Sequence, residues 1–584
     1  MDNPCQGEHS STNSGSRLGP AHQWLLLAIA GLHLAMLWWS VHVHGPVYDE
    51  VGHLTAGLEH WLQGDFAPYR QDPPLVRLVS TAPIVAFANR GDIEAIMRAE
   101  GVSGLPHASF HAAPALGRAW LRTARKVCTL FSLLALLGCY VSGKSLGGTI
   151  AGLLAAAAWA CSPLVLGNGV LFLEDVPCAA LAIWSALLME KWSQHPTVGW
   201  ALATGLAIGC ALSVKFTALL VTACLLMTWA LRACLQRRLP TGHELLQLAA
   251  IGCTALLVVN AVYAFQDTFL PLKAYGFTSG SLVGEASKEG ERGNRFANSP
   301  LGSVPVPVPA QYLIGLDFQQ HEFERRYWCY LAGEWKHGGW WYYYLYALAV
   351  KEPIGTLLFL GFGTILGLSA IWRVPRLLWP LVPGVALFAV ISSYTGINRH
   401  PRYILPAIPF LLVFAAVGLA RYRATRWMGC ILCVLACLAT LRIAPHFHAH
   451  FNLIAGGPER GPEHLLFSAI DYGQDLLVLR RWLDKHPQIV LEGATALPNI
   501  TRPSWHGLPD RPPPMARDLM RPGWYALTVM SLHDRFGRWD HFRQLKPHRV
   551  FGWTVFLYRV TPEDVQELRR SPKRRHPEQR ALSR

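Results

Sequence analysis

Apolar residues in this chain come in long unbroken runs, not in the short amphipathic periods of a soluble fold. A helix rises about 1.5 Å per residue, so roughly 20 mostly apolar residues cross a hydrocarbon core about 30 Å thick. That measure predicts an α-helical polytopic membrane protein of about eleven spans: 23–41, 126–142, 149–166, 177–191, 198–213, 216–233, 246–265, 354–372, 378–394, 404–420 and 428–443. The stretch 198–234 is too long for one crossing. Lys191 lies before it, and Arg232, Arg237 and Arg238 lie at or after its end. Both flanks on one side require an even number of crossings, so the chain is expected to turn near Ser213-Val214-Lys215, with Lys215 at the opposite surface.

Short basic loops set the orientation. With a cytoplasmic N-terminus, the inner loops hold Lys144, Lys191, Arg237 and Arg238, then Arg373 and Arg376, then Arg421, Arg423 and Arg426. The segments 42–125, 167–176, 266–353, 395–403 and everything from 444 onward then lie outside. Residues 1–22, polar and Ser/Gly-rich, are expected to be a disordered cytoplasmic end, and 23–443 the membrane domain with large outer loops 42–125 and 266–353. The apolar run after residue 22 is long enough to stay as an anchor instead of being cleaved. Beyond 444, apolar runs such as QIVLEGA, WYALTVM and WTVFLYRV alternate with Pro-rich turns. They predict a small extracytoplasmic α/β or mostly β domain over 444–564, followed by a basic disordered tail at 565–584.

Composition agrees. Hydrophobic residues make up 52% of 584 positions and charged ones 15%, against about 25% charged in soluble domains. The net charge of +15 lies largely in short loops and the last twenty residues, which argues against a nucleic-acid partner, since that would need a basic folded face. Most of the 13 cysteines sit inside apolar stretches, where ordinary packing accounts for them. Cys430, Cys433 and Cys437 share a helical face without the polar company a metal would need.

Candidate chemistry begins at Tyr48-Asp49-Glu50, just beyond the first span. Two adjacent carboxylates at a membrane exit are costly if idle, and apolar walls would make one a base able to take a hydroxyl proton; a solvated loop start is the plain alternative. The following VGHLTAGLEHWLQGDF reads as a helix lying on the membrane with Leu54, Leu58, Trp61 and Leu62 facing down. A second acidic pair, Glu174-Asp175, precedes Pro177, and Asp175 taken alone reads as a helix cap. Arg70, Lys215, Lys351, Arg399 and Arg402 fall at outer boundaries. Charge there tends to pair or to bind something such as a lipid phosphate, although each could simply extend to the headgroups. The run WWYYYLYA at 340–347 reads as an interfacial aromatic belt. His446, His448 and His450 would share a face on a strand, but no acidic or cysteine partner follows at metal-site spacing.

These residues resemble a known family. YDEVGHLTAGLEHWLQGDF with YRQDPPLVRL, LEDVPCAALA, SVKFTALL, GEWKHGGWWYYYLYALAVKEP, RYILPAIPFL and HFNLIAGGPERG with DYGQDLLVLRRWL are similar to bacterial relatives of the dolichyl-phosphate-mannose protein mannosyltransferases and the aminoarabinose lipid A transferases, which share the GT-C fold. The resemblance implies an inverting glycosyltransferase that moves a mannose-like hexose or pentose from a polyprenyl-phosphate carrier to a hydroxyl of a protein, lipid or glycan. It implies Asp49 as the base, Glu50 in support and Asp175 as partner. Arg399, Arg402, Lys215, Lys351 and Arg70 are the expected phosphate holders, and Tyr48, His53 and Glu174 the accessory or acceptor residues. Tyr472 stands where many relatives have Trp. No metal ligand set is expected, and a divalent cation stays open as cofactor. The expected place is the cell (plasma or inner) membrane, with the site and C-terminus outside. A transporter or flippase of a lipid-linked substrate is the competing class, but it would place its charges near the bilayer midplane. A mere membrane anchor would not need eleven spans.

Overall fold

In the computed structural model, residues 20–95, 110, 113–284, 292–393, 396–496 and 501–570 are described. The expected disordered ends therefore lie almost wholly outside the described residues. Pro562–Arg570 is helical, which overlaps the first positions of the tail expected at 565–584.

Each predicted span lies largely on helix among the described residues. Seven helical segments among the described residues are long and apolar enough to cross a membrane: Ala21–Val43, Pro114–Ala160, Thr217–Leu235, Gly242–Val262, Pro375–Ser393, Pro401–Leu419 and Arg423–Leu441. Val198–Leu212 and Ile354–Leu368 are shorter apolar helices. Asp175–Gln194 carries three charges, Asp175, Glu190 and Lys191. Pro114–Ala160 contains the expected span 126–142 and the larger part of 149–166. Gly148 interrupts it at φ 82°, a conformation that glycine adopts without a side-chain clash. The chain doubles back there, placing Gly143 against Ala151 and Gly152 against Tyr140.

Small residues set how closely the helices approach. Gly205 and Gly209, four apart on one face of Val198–Leu212, lie against Ile251, Thr254, Ala255 and Val258 of Gly242–Val262. Gly363 and Gly367 meet Ala415 and Phe414, with Gly418 returning against Gly363. Helices that cannot gain from hiding apolar surface in lipid associate through such close backbone packing. The outward faces keep large apolar side chains, among them Leu206, Leu257, Ile365, Ile431 and Leu438.

The segment after the first membrane helix corrects one expectation. Helix Tyr48–Leu62 does not lay Leu54 and Leu58 on a membrane surface; both are buried in the main core with Val51, Val76 and Ile84. It packs instead on helix Leu75–Phe87, where Gly57 meets Thr81. Trp61 and Leu62 remain exposed. The aromatic run at 340–347 is also divided, with Tyr343 and Tyr344 buried and Trp341 outside.

The second large loop folds into helix Ala310–Glu324 and a hairpin, β1 (Trp328–Leu331) with β2 (Glu334–His337). Asp317 anchors that loop by accepting the backbone N–H groups of Thr278 and Ser279. Beyond residue 444 the chain first runs through short 3-10 turns. It then forms a four-stranded sheet of β3 (Leu491–Ala494), β4 (Gly523–Thr528), β5 (Arg549–Phe551) and β6 (Val555–Val560), in the order β3-β4-β6-β5. β3 and β4 are parallel and the other pairs antiparallel. With helix Leu476–Leu483 packed in its core, this region is α/β.

Candidate active site

Consecutive helix residues point about 100° apart, and this separates the two adjacent acids. Glu50 turns inward. Its carboxylate accepts the Val47 N–H at 3.1 Å, the Phe172 N–H at 2.8 Å, and Arg125 Nε and Nη2 at 2.7 and 2.5 Å. Arg125 also donates to the carbonyls of His44 and Gly45. Glu50 is therefore a fully buried clamp at the start of the helix and does not line the cleft, contrary to its expected supporting role. Asp49 faces the other way, into a cavity of about 200 Å³.

Three further segments bring charge to that cavity. The turn at Ser213–Phe216 delivers Lys215, whose Nζ donates to Asp175 Oδ1 at 2.6 Å. Asp175 opens helix Asp175–Gln194, where the helix dipole favours a carboxylate. The N-cap residue is Glu174, which makes no side-chain cap hydrogen bond, and the Asp175 side chain meets Lys215 and Arg402. Arg402, in a short 3-10 segment following His400, reaches both acids: Nη2 lies 3.0 Å from Asp49 Oδ2 and Nε 3.0 Å from Asp175 Oδ2. Tyr472 accepts from Arg402 Nη1 at 2.7 Å and donates its hydroxyl proton to Asp49.

The cleft wall continues through His53, Tyr69, Asp72, Glu174, Gln319, Glu322, His400 and Tyr403. Burial, then Arg77, keeps His53 well below the usual imidazole range and so neutral. Burial and the neighbouring Asp72 push Glu174 well above the usual carboxylate range. Burial also raises Asp72, with Lys215 and Arg77 opposing. Burial opposes the charge on Lys215, but Asp175 and Asp72 outweigh it and raise its proton affinity.

His53, Asp72 and Glu174 offer ligand atoms within 4.8 Å of one another. However, the Arg77 guanidinium already stands 3.3 Å from His53 Nδ1 and 3.8 Å from Glu174. It supplies positive charge where a cation would sit, so this set does not fit a divalent ion unless Arg77 moves.

Six residues singled out in the sequence thus meet in one cleft: Asp49, His53, Glu174, Asp175, Lys215 and Arg402. The other expected site residues lie elsewhere. Lys351 is buried and donates to the carbonyls of His448 and Ala469 at 2.5 and 2.6 Å, and burial lowers its pKa to about 7. Arg399 donates to the Trp328 carbonyl and lies over the rings of Tyr327 and Phe467. Arg70 donates to the Ala67 carbonyl. Tyr48 is half-buried against the main core. Each of these cations donates to a backbone carbonyl, and boundary position alone does not reveal that. Sequence reasoning missed Asp72, Gln319, Glu322 and His400. Only Asp72 carried a local signal, an acid directly before Pro-Pro.

Beside the cleft runs an apolar groove of about 260 Å³, lined by Phe216, Leu219, Leu220, Leu316, Phe323, Val390 and Ile391. Lys215, Gln319 and Tyr403 line both cavities and form their junction.

Residues 115–263, about a quarter of the chain, match the family model described as Dolichyl-phosphate-mannose-protein mannosyltransferase. No curated protein matches the chain. Among solved structures the chain is similar to ArnT from Cupriavidus metallidurans in the apo state, at 14% identity and a TM-score of 0.46, covering 95% of this chain and 100% of that one. The same protein bound to undecaprenyl phosphate aligns at 15% identity and a TM-score of 0.44, with the same coverage. The Archaeoglobus fulgidus oligosaccharyltransferase tethered with an acceptor peptide aligns at 11% identity and a TM-score of 0.40, covering 73% of this chain and 55% of that one. The chain is a polytopic helical protein with a small C-terminal sheet region. Its resemblance to the mannosyltransferase family is borne out over the matched segment, which makes that segment similar to membrane glycosyltransferases.

Proposed function

We propose that this protein transfers a sugar from a polyprenyl-phosphate carrier to a hydroxyl acceptor at the outer face of a cell membrane. The observation that carries this reading is the junction at Lys215. There, an apolar groove suited to a prenyl chain lies beside a cleft where two carboxylates are bridged by one arginine, and Lys215, Gln319 and Tyr403 line both. A lipid phosphate lying at that junction would meet Lys215 and Arg402, and its sugar would reach into the acid-lined cleft.

The chemistry follows from the residues. Phosphate is a good leaving group, so the sugar arrives activated. What remains is to hold the phosphate, align the acceptor behind the anomeric carbon and remove its proton. A phosphate entering the cleft competes with Asp49 and Asp175 for Arg402. As Arg402 turns to the phosphate, Asp49 is released from it and free to take the acceptor's proton. Asp175 keeps Lys215 in place throughout. The sugar, whether hexose or pentose, and the acceptor, whether protein, lipid or glycan, are set by the rest of the cleft wall.

The reading includes the layout taken from the sequence: a membrane domain over 23–443, and a soluble region over 444–564 on the same outer face as the site. A flippase is disfavoured because the cleft's charges cluster at helix ends and turns, not along helix middles. Purified protein incubated with a polyprenyl-phosphate sugar tests the proposal. Release of polyprenyl phosphate with sugar appearing on an added acceptor supports it. Movement of intact donor between vesicle leaflets without release overturns it in favour of the flippase.

A further inference from the structure

Outside the transfer cleft, three side chains far apart in sequence converge on one point. His44 Nε2 lies 3.2 Å from His446 Nδ1 and 3.3 Å from Asp475 Oδ1, and His446 Nδ1 lies 2.8 Å from that same oxygen. A tetrahedral zinc ion with bonds of about 2.0–2.1 Å holds neighbouring ligand atoms about 3.3 Å apart. The three atoms therefore already outline one face of such a coordination shell.

The surroundings aim these atoms at the common point. Ser40 Oγ donates to the Pro445 carbonyl at 3.2 Å, and so accepts the proton of His44 Nδ1, 2.9 Å away. This fixes the His44 tautomer and leaves the Nε2 lone pair facing His446 and Asp475. The other oxygen of Asp475 is held by Thr554 Oγ1 at 2.7 Å and by Gln474 Nε2 at 3.3 Å, leaving Oδ1 for the cluster. Partners of this kind orient and tune metal ligands. His44 also lines a cavity of about 490 Å³. The wall of that cavity also carries Arg118, Arg122, Arg125, Arg480 and Arg481, of which Arg125 is paired with Glu50 and Arg480 with Asp484.

We propose that His44, His446 and Asp475 bind a divalent transition-metal ion, with zinc the best match to two imidazoles and one carboxylate. The ion ties the start of the C-terminal region to the end of the first membrane helix. His44 precedes Asp49 by a few residues, and Asp475 follows Tyr472, the partner of Asp49. The metal thereby fastens both sides of the base and acts as a positioning device, separate from the bond-making step.

Metal content of the full-length protein tests this. The protein is purified without a polyhistidine tag, loaded with zinc, freed of excess by desalting and assayed for bound metal. Wild type is expected to retain one equivalent, and cobalt loading should give the visible absorption of a four-coordinate ion. His446→Gln and Asp475→Asn should lose both signals. Ser40→Ala leaves every ligand in place and guards against variants that fail to fold; it should weaken zinc affinity about 10–100-fold. His53→Gln, altering the other candidate cluster, should keep the metal. Zinc no higher than a buffer blank in wild type overturns the proposal. So does equal binding by wild type and His446→Gln, or loss of the metal in His53→Gln alone. None of these readouts depends on turnover, so the transferase reading stands or falls separately.

Discussion

The hydroxyl of Tyr472 donates a hydrogen bond to the carboxylate of Asp49, joining positions 423 apart in sequence. The same oxygen of Asp49 meets Arg402, so Tyr472 and Arg402 together fix the carboxylate's direction. Tyr472→Phe keeps the ring and removes the bond. A hydrogen bond to a charged group is worth about 1.5–3 kcal/mol, so turnover should fall roughly 10–100-fold. Initial rates with a polyprenyl-phosphate sugar will show it, and an unchanged rate would make Tyr472 a packing residue.

Asp49→Asn preserves shape and removes the proposed base. Loss of a general base costs about 10²–10⁴ in rate, with donor binding and the detergent melting temperature little changed. If a well-folded Asp49→Asn protein turns over normally, the base is another carboxylate, and Asp175 is the next to test.

Arg402 and Arg399 sit close in sequence but should behave differently. Lysine at 402 cannot span Asp49 and Asp175 as the guanidinium does, so Arg402→Lys should raise the donor concentration needed for half-maximal rate. Arg399→Lys should leave that concentration unchanged, since Arg399 faces Trp328, Tyr327 and Phe467. Donor titrations at fixed acceptor compare the two. Matching curves for Arg402→Lys and wild type would remove Arg402 from phosphate binding.

Glu50→Gln should act on stability more than on chemistry. It leaves Arg125 buried with no carboxylate partner, and breaking a buried pair from one side costs about 3–5 kcal/mol. A clear drop in thermal unfolding temperature is expected, with the surviving folded fraction still active. A stable but inactive Glu50→Gln protein would return Glu50 to the catalytic set.

Orientation is testable by reporter fusion. Fusions at 240, 375 and 424 should report the cytoplasm and one at 460 the opposite side, as the basic short loops require. If 240 and 460 report one compartment, the span count is wrong by parity.

The sequence by itself determined the solvent, the helices and much of the polar cleft. Long apolar runs admit few alternatives in lipid, because only helices and closed barrels satisfy every backbone group there. Counting basic flanks was enough to turn the chain at Ser213-Val214-Lys215, which is where Lys215 meets Asp175. Tertiary structure decided how neighbours divide their work. Asp49 and Glu50 are adjacent and chemically alike, yet one faces the cleft and the other clamps Arg125, since helix rotation sends them to different surroundings. Arg399, Arg402 and Lys351 all read as boundary cations, but only Arg402 meets carboxylates, while the others donate to backbone carbonyls. No acidic partner follows His446 at metal-site spacing in the sequence, and folding brings Asp475 and His44 to it. Which groups share a point depends on contacts between segments hundreds of residues apart, and local pattern carries no record of those contacts.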